Sequence, residues 1–273
     1  MTTLTIDQAR RRDIPRTLRS EFTKVRSVRS TYWSLLLLVL AAVAWCVIYA
    51  VATTRQWPAM SALDRGSFDA TQDSVLGLAL LGQLFIVMLG ALMITSEYTT
   101  GMVRTSLTVM PRRAVLYWSK LGVFAAVSLV LSLATSVGMF FLGKTLLAPT
   151  HVTMSLSQPA QLRSVLVTAL FVEVCGLLAY GVGAIVRNTA GALTITYGIL
   201  ALLPQLLKAM PTPIYQAMVR WIPGGDALGV MTSTDSNSNP PHMFGAWAEL
   251  AVFAAYAVIV VLIGAAQFRG RDA

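Results

Sequence analysis

Long uncharged stretches divide the chain into apolar segments that are separated by short polar ones. Five stretches lack Asp, Glu, Lys and Arg, at residues 30–54, 74–96, 121–143, 188–207 and 250–268. A sixth, between Arg163 and Arg187, holds Glu173 as its single charge. Each stretch is close to the length of about 20 apolar residues that a helix needs to cross a bilayer. The pattern therefore predicts an all-α integral membrane protein with six transmembrane helices.

One membrane domain is predicted over residues 31–268, with a polar segment at each end. We place its transmembrane helices at residues 31–52, 74–96, 115–142, 162–186, 190–207 and 246–268. Residues 1–13 are expected to be a disordered cytoplasmic tail, and residues 269–273 a short cytoplasmic tail. The composition agrees, because 12% of the residues are charged, whereas a soluble domain has about 25%.

Residues 14–30 precede the first transmembrane helix and carry an apolar stripe. Its members recur at spacings of three and four, the period of one helical face, and are Ile14, Leu18, Phe22, Val25, Val28 and Tyr32. The opposite face is basic, with Arg16, Arg19, Lys24 and Arg26. Such a helix is typical of the membrane interface. We therefore predict an amphipathic elbow helix, with a plain basic tail as the alternative.

The net charge of +9 is distributed unevenly over the connections. If the N-terminus is cytoplasmic, fifteen of the 21 Lys and Arg residues fall on the cytoplasmic side. The other side then holds Arg55, Arg65, Lys144, Arg163, Lys208 and Arg220. Basic residues favour the cytoplasmic side of a membrane. We therefore predict that both termini are cytoplasmic, which explains the charge without a nucleic-acid partner.

The stretch GMFFLGKT at residues 138–145 matches the phosphate-loop pattern G-x-x-x-x-G-K-[ST]. A phosphate loop follows a strand, opens a helix and leaves backbone N–H groups free for phosphate. Here the motif covers the last turns of a predicted transmembrane helix, whose N–H groups bond within the helix. We therefore interpret Lys144 as an interfacial anchor and predict no nucleotide site in this chain.

Few residues have the spacing that catalysis or metal binding requires. Cys46 and Cys175 lie within predicted transmembrane helices, which favours buried thiols over a disulfide. His151 and His242 are isolated, so no metal site is predicted. Catalytic motifs such as H-E-x-x-H and G-x-S-x-G do not occur in the sequence. We predict that the chain is not an enzyme and holds no cofactor of its own.

Glu173 is predicted near the middle of a transmembrane helix. A charged carboxylate at that depth costs at least about 2.5 kcal/mol unless it is neutralised or paired. One interpretation places it on a transport pathway or a dimer seam, for which Gln83 and Met88 are further candidates. The other is a structural hydrogen bond to a neighbouring group, with Thr135, Ser136 or Thr168 as the candidate partner. Both interpretations stay open at this point.

The segment SEYTTGMVRTSLTVMPRRAVLYWSK connects the second and third transmembrane helices. Its apolar residues Met102, Val103, Leu107 and Val109 share one helical face. A short helix that lies flat under the membrane between two transmembrane helices suits docking to a soluble partner. The alternative is a positively charged anchor without a partner.

This segment resembles the corresponding loop of ABC-2 type ABC transporter permeases. The family pattern of E, G, L, P, R and K corresponds to Glu97, Gly101, Leu107, Pro111, Arg113 and Lys120. The family often has Thr after the glycine, where this chain has Met102. The resemblance implies ATPase-coupling residues at Glu97, Tyr98, Gly101, Met102, Arg104, Leu107, Pro111, Arg112, Arg113 and Lys120.

Two further segments resemble the same family. LRSEFTKVRSVRSTYW is similar to its elbow, with Leu18, Phe22, Val25, Arg26 and Tyr32 as the matching residues. YGVGAIVRNTAGALTITYG is similar to its turn between the fourth and fifth transmembrane helices, where Arg187 stands.

The resemblance implies the permease subunit of an ATP-driven exporter in the inner membrane of a bacterium. Such permeases pair as homodimers or with a homologous permease, and each copy docks one cytoplasmic ATPase subunit through the loop 97–114. ATP and Mg²⁺ would then be bound by that partner. The alternatives are a proton-coupled secondary transporter that uses Glu173 and a non-transporting membrane immunity or regulatory protein. Cargo and transport direction stay open.

Overall fold

The computed structural model describes residues 29–99, 113–222 and 245–270, which form helices with short connections. The α-helices are α1 Arg29–Gln56, α2 Ala62–Ser67, α3 Ala70–Gly77, α4 Gln83–Thr99, α5 Arg113–Leu146, α6 Pro159–Val186, α7 Thr189–Tyr197, α8 Leu203–Lys208, α9 Thr212–Met218 and α10 Ala246–Gly270. Single π-helical turns at Leu78–Gly82 and Gly198–Leu202 join α3 to α4 and α7 to α8. Short 3₁₀ turns cover Trp57–Ala59, Ala148–Thr150 and Val219–Trp221.

Six helical segments of the described residues are long and apolar enough to cross a membrane. They are Tyr32–Ala59, Ala70–Ser96, Ala114–Leu146, Pro159–Val186, Thr189–Lys208 and Ala246–Phe268. The predicted all-α membrane fold with six transmembrane helices is therefore confirmed. The elbow helix predicted at residues 14–30 lies outside the described residues, apart from the start of α1.

Three helices extend beyond the apolar stretches that predicted them. α1 continues to Gln56, α5 continues to Leu146, and α3 begins at Ala70. The side chain of Asp69 caps α3 by accepting a hydrogen bond from the backbone N–H of Gln72 at 3.0 Å. The uncharged stretches mark only the part of a helix inside the hydrocarbon. Each of these helices extends past that part, so its end carries charged and polar residues.

The two ends of the bundle are distinguished by their connections. α4 ends at Thr99 and α5 begins at Arg113, and we call this side, where residues 100–112 connect them, the loop end. α6 and α10 also end here, because Arg187 and Phe268 both contact the ring of Tyr98. The opposite side, where α1 meets the last turn of α5, is called the far end.

α6 forms the centre of the bundle. In the most apolar stretch of α6, 83% of the residues are buried, against 22% in that of α1. α4 crosses α6 closely at Gly90, where an added Cβ would collide with the carbonyl oxygen of Gly176. α10 crosses it at Gly181, where an added Cβ would lie 2.8 Å from the backbone nitrogen of Val261. Small residues at these crossings let helix backbones approach each other in a membrane.

The outer helices present large apolar side chains to their surroundings. Ile48 on α1, Val130 on α5 and Val258 on α10 are 69%, 68% and 55% exposed. In water such faces would drive association. In a bilayer they face lipid at no cost, as the transmembrane assignment requires.

Candidate functional site

The loop that the resemblance assigns to ATPase coupling is described only at its two ends. Tyr98 and Lys120 are described. Outside the described residues lie Gly101, Met102, Arg104, Leu107, Pro111 and Arg112. The side chains of Glu97 and Arg113 also lie outside the described part of the chain. The candidate site is therefore built from the helix ends to which the loop is attached.

Tyr98 ends the transmembrane part of α4 and contacts two other elements. The guanidinium carbon of Arg187 lies 5.1 Å from the centroid of its ring, in cation–π geometry. The ring of Phe268 on α10 packs against it edge-on, with centroids 6.3 Å apart. The last turn before the loop is thereby attached to the α6–α7 turn and to α10.

Tyr117 lies just beyond the other end of the loop, on the first turns of α5, and is 1% exposed. Its hydroxyl donates a hydrogen bond to the carbonyl oxygen of Val261 on α10 at 2.9 Å. Its own carbonyl oxygen accepts a hydrogen bond from the hydroxyl of Tyr180 on α6 at 3.0 Å. The rings of Tyr117 and Tyr180 pack at 5.2 Å, and Phe268 packs on Tyr117 at 5.6 Å.

Arg187 occupies the sharp turn between α6 and α7. Its φ of 57° is left-handed, a conformation that costs a residue with a Cβ roughly 1–2 kcal/mol. Its backbone N–H caps α6 by donating to the carbonyl oxygen of Gly183 at 2.9 Å. The side chain of Asn188 caps α7 by accepting from the N–H of Gly191 at 2.9 Å. The hydroxyls of Thr95 and Thr189, 2.7 Å apart, tie this turn to α4.

We call Tyr98, Tyr117, Tyr180, Arg187 and Phe268 the loop-end cluster. It attaches both ends of the loop to α6 and α10 through ring packing, a cation–π contact and hydrogen bonds to backbone carbonyls. A displacement of the loop would therefore reach the central helix directly.

Lys120 lies one turn beyond Tyr117 on α5 and is 4% exposed. Burying an ammonium group without a partner is costly, and Lys120 is engaged in an interaction in the structure. Lys120, which the resemblance assigns to ATPase coupling, is therefore part of the bundle interior near the start of α5.

Glu173, Gln83 and Met88 are not brought together. Glu173 is 6% exposed and faces α5, where Ser128 is the neighbouring hydroxyl-bearing side chain. Gln83 of α4 contacts a different face of α6, where its Oε1 lies 4.0 Å from the Sγ of Cys175. Two residues turn a helix by about 200°, so Glu173 and Gln83 lie on opposite sides of α6. Met88 is half-buried on α4.

Two of the three hydroxyls predicted as partners of Glu173, those of Ser136 and Thr168, bond elsewhere. Ser136 donates to the carbonyl oxygen of Val165 at 2.8 Å, and Thr168 donates to that of Ser164 at 2.8 Å. The rotation of the helices brings Ser128 to the carboxyl group instead.

Most of the predicted elbow residues are not among those that the structure describes. Leu18, Phe22, Val25 and Arg26 lie outside the described residues. Tyr32 is 62% exposed near the start of α1 and packs edge-on against Trp33 at 6.1 Å. Exposed Tyr and Trp side chains near a helix end are typical of the membrane–water interface.

The phosphate-loop pattern at residues 138–145 lies inside a continuous helix, α5. Helical bonding continues past the motif, because the N–H of Leu147 donates to the carbonyl oxygen of Gly143 at 2.8 Å. These backbone N–H groups are therefore engaged in the helix, and the residues do not fit a phosphate loop. Lys144 is exposed at the far end, as expected for an interfacial anchor.

A polar group joins α1 to α3 near the far end. The hydroxyl of Tyr49 donates a hydrogen bond to the carboxylate of Asp73, and the hydroxyl of Thr53 donates to Tyr49. The contact accounts for the partial burial of Asp73 within a segment that can cross the membrane. Cys46 and Cys175 are both buried and free, as the sequence predicts.

Sequence reasoning missed Tyr117, Tyr180 and Phe268. The available signal was an aromatic residue near the end of each of three predicted transmembrane helices. Nothing local indicates that these three rings meet.

Comparison with known families identifies the class of protein. The sequence model of the family described as ABC-2 family transporter protein matches residues 17–202. The match covers more than half of the chain and includes the loop, Glu173 and Arg187. The chain belongs to the ABC-2 transporter family. A comparison with curated proteins finds no match.

Membership of the ABC-2 family has direct consequences. The chain is a multi-pass membrane protein and a transport permease, and the family associates with ABC ATPase subunits. The resemblance found in the loop segment is thereby confirmed at the level of the family. The loop-end cluster is the part of this ABC-2 permease at which the described helices meet the loop.

Proposed function

We propose that this ABC-2 permease is the membrane subunit of an ATP-driven exporter and that it docks a separate ATPase through the loop 97–114. The observation that carries the proposal is the loop-end cluster. Tyr98, at the start of the loop, and Tyr117, just past its end, are both attached to α6 or α10. Movement of a protein docked on the loop would therefore tilt the central helices instead of bending a free connection.

The proposal includes a cytoplasmic loop end and a second permease copy. The uneven distribution of Lys and Arg supports the orientation, with both termini on the same side as the loop. Exposed apolar faces on α1 and α10 leave room for a second copy within the bilayer. ATP and Mg²⁺ would be bound by the ATPase subunit, since GMFFLGKT of this chain does not fit a phosphate loop.

The π-helical turns supply places where transmembrane helices can bend. They interrupt the second and fifth transmembrane helices, and the hydroxyl of Tyr197 at one turn donates to the carbonyl oxygen of Leu84 beside the other. Such turns occur frequently at functional sites. We propose that these two helices bend together during transport.

Rebinding of the ATPase to oriented membrane vesicles tests docking and orientation together. The ATPase subunit that co-purifies with the tagged chain is stripped from inverted and right-side-out vesicles and added back. We expect rebinding to inverted vesicles, and its loss when Glu97→Ala, Gly101→Leu and Arg113→Ala are combined. The matched control combines Leu63→Ala, Asp64→Ala and Arg65→Ala, in the exposed helix α2 at the far end.

Three outcomes would contradict parts of the proposal. Undiminished rebinding by the loop variant would remove the docking role of residues 97–114. Rebinding to right-side-out vesicles would reverse the orientation. A single permease copy in native mass spectra of the complex would remove the dimer. Variants are compared only after gel filtration shows a monodisperse chain.

A proton-coupled carrier is the second candidate, because a buried carboxyl group at Glu173 lies deep in the membrane. Transport by such a carrier would not respond to orthovanadate, which inhibits ABC ATPases. Transport that continues at full rate in orthovanadate would favour this candidate over the exporter.

A further inference from the structure

Buried hydroxyl groups line the face of α5 that packs on α6. Ser128, Ser132 and Ser136 follow each other at spacings of four and are 1%, 1% and 0% exposed. Spacings of four keep residues on one helical face. We call these three residues the hydroxyl row. Ser136 sets the register of the two helices through its hydrogen bond to the carbonyl oxygen of Val165.

Glu173 lies beside Ser128, the member of the hydroxyl row nearer to the loop end. Neither of its carboxyl oxygens accepts a hydrogen bond from the described residues. The Ser128 hydroxyl donates its proton to the carbonyl oxygen of Phe124 at 2.7 Å, and the Ser132 hydroxyl donates to that of Leu129 at 3.2 Å. No hydroxyl proton of the row is therefore directed at the carboxyl group.

The other helices that pack on α6 present no titratable group at this position within the described part of the chain. α4 contributes Ile86 and Gly90 at the next turn, where Gly176 lies. α10 contributes Phe253, which packs on Phe171. Among the described residues, Ser128 is the side chain that neighbours the Glu173 carboxyl group. No charged side chain of the described residues lies close enough to influence it.

Counting donors and acceptors identifies the form of Glu173 that fits this site. A carboxylate only accepts hydrogen bonds, whereas a protonated carboxyl group also donates one. Ser128 has used its proton but keeps lone pairs on its oxygen. In this orientation its oxygen can accept a hydrogen bond from a protonated Glu173, whereas donating one to a carboxylate would require its proton to leave the carbonyl oxygen of Phe124. A protonated carboxyl group also avoids the cost of a charge at this depth.

We propose that Glu173 is a proton-binding site of this permease. In the described conformation its carboxyl group holds a proton, and a small rotation of the carboxyl group would let it donate a hydrogen bond to the oxygen of Ser128. When α5 and α6 separate enough for water to reach the hydroxyl row, the carboxyl group releases the proton to that water and becomes a carboxylate that water and the serine hydroxyls can solvate.

The two sides of Glu173 differ, which assigns a direction to the exchange. Towards the far end the contact continues with Ser132 and Ser136, which offer hydroxyl groups to a chain of water molecules. Towards the loop end Phe124 packs on Gly176 and stacks on Tyr180, with ring centroids 6.2 Å apart and planes 14° apart. The proton therefore exchanges along the hydroxyl row, and the two rings close the way to the loop end.

Infrared spectroscopy of the full chain in lipid nanodiscs tests the protonated form. We expect the C=O stretch of a protonated carboxylic acid at neutral pH, shifted in D₂O and absent from Glu173→Gln. Labelling with ¹³C-glutamate shows independently that the band comes from one of the four glutamates, Glu21, Glu97, Glu173 and Glu249, and its absence from Glu173→Gln then assigns it to Glu173. A carboxylate band in place of the acid band would overturn the proposal.

The position of the band tests the partner. Ser128→Ala removes the acceptor, so the band should move to higher frequency, whereas the matched control Ser132→Ala, one turn away, should leave its frequency unchanged. Equal shifts in both variants would remove Ser128 as the partner.

The rate at which the band exchanges in D₂O tests the direction. Ser132→Ala removes a hydroxyl on the far side and should slow the exchange, whereas Phe124→Leu on the loop side should leave the rate unchanged. The reverse result would place the exchange route at the loop end. None of these measurements requires the ATPase, so their failure and failure of the docking proposal are distinguishable.

Discussion

The two halves of the contact between α5 and α6 differ in the residues that form them. On the loop side the contact is aromatic, with Tyr180 packed between Tyr117 and Phe124. On the far side three buried serines line α5, and Ser136 supplies an interhelical hydrogen bond to Val165. Buried aromatic rings contribute a large contact area, whereas hydrogen bonds between membrane helices average about 0.6 kcal/mol. The contact beside the three serines should therefore open at a smaller cost than the aromatic contact on the loop side.

This difference connects the loop-end cluster to the proton site. Tyr117 and Tyr180 join α5, α6 and α10 into one unit beneath the loop. Glu173 lies where the aromatic half meets the hydroxyl row. A tilt imposed at the loop would accordingly separate α5 from α6 beside the hydroxyl row. The proposed proton exchange takes place there.

The largest effect is expected for Tyr180→Ala on the aromatic side. Tyr180 is fully buried, and replacing a buried aromatic residue by Ala costs about 3–5 kcal/mol. The free energy of unfolding, measured by titration with SDS, should fall by that order. Tyr180→Phe keeps the ring and loses one hydrogen bond, so its loss should be about 1 kcal/mol. Equal losses in the two variants would show that ring packing does not stabilise the loop half.

An intermediate effect is expected for Arg187→Gln at the edge of the loop-end cluster. The substitution removes the cation from the ring of Tyr98 and keeps a residue with a Cβ at the left-handed turn, so backbone strain is unchanged. The loss in unfolding free energy should be about 0.5–1 kcal/mol, the usual size of a cation–π contact at a surface. Arg187→Lys keeps a cation and should recover part of it. If Lys and Gln destabilise equally, the charge over the ring contributes nothing.

The smallest effect is expected for Ser136→Ala on the far side. It removes the hydrogen bond to Val165, which should lower the unfolding free energy by about 0.6 kcal/mol. Ser132→Ala is the matched control, because the Ser132 hydroxyl bonds within its own helix, and its loss should be smaller still. A loss for Ser136→Ala as large as that for Tyr180→Ala would erase the difference between the two halves.

The six transmembrane helices could be predicted because insertion depends on the composition of each segment by itself. Their far ends could not, since Asp69 and Asp73 lie in or beside α3 although charge marked them as a connection. An N-cap hydrogen bond to Gln72 and the hydroxyl of Tyr49 stabilise these carboxylates there. Such contacts between a helix end and its neighbour leave no mark in local hydropathy.

The candidate site was recoverable only in part. The loop motif identified Tyr98 and Lys120, yet the contacts around Tyr117 reach across 63 and 144 positions of the chain. The sequence indicated the depth of Glu173 in the membrane. In the structure its neighbouring hydroxyl is that of Ser128, and not one of the three that were predicted.

Local composition was thus enough to establish the class of protein and the number of membrane crossings, and the resemblance of the loop motif indicated the family. The rotation of each helix about its axis emerged only in the folded bundle. A segment enters the bilayer according to its own transfer free energy, which its residues carry with them. The side that it turns towards a neighbour depends on close packing against several helices at once, such as the approach of α4 and α10 to α6 at Gly90 and Gly181. That packing is why Glu173 faces Ser128 while Gln83 lies on the opposite side of α6.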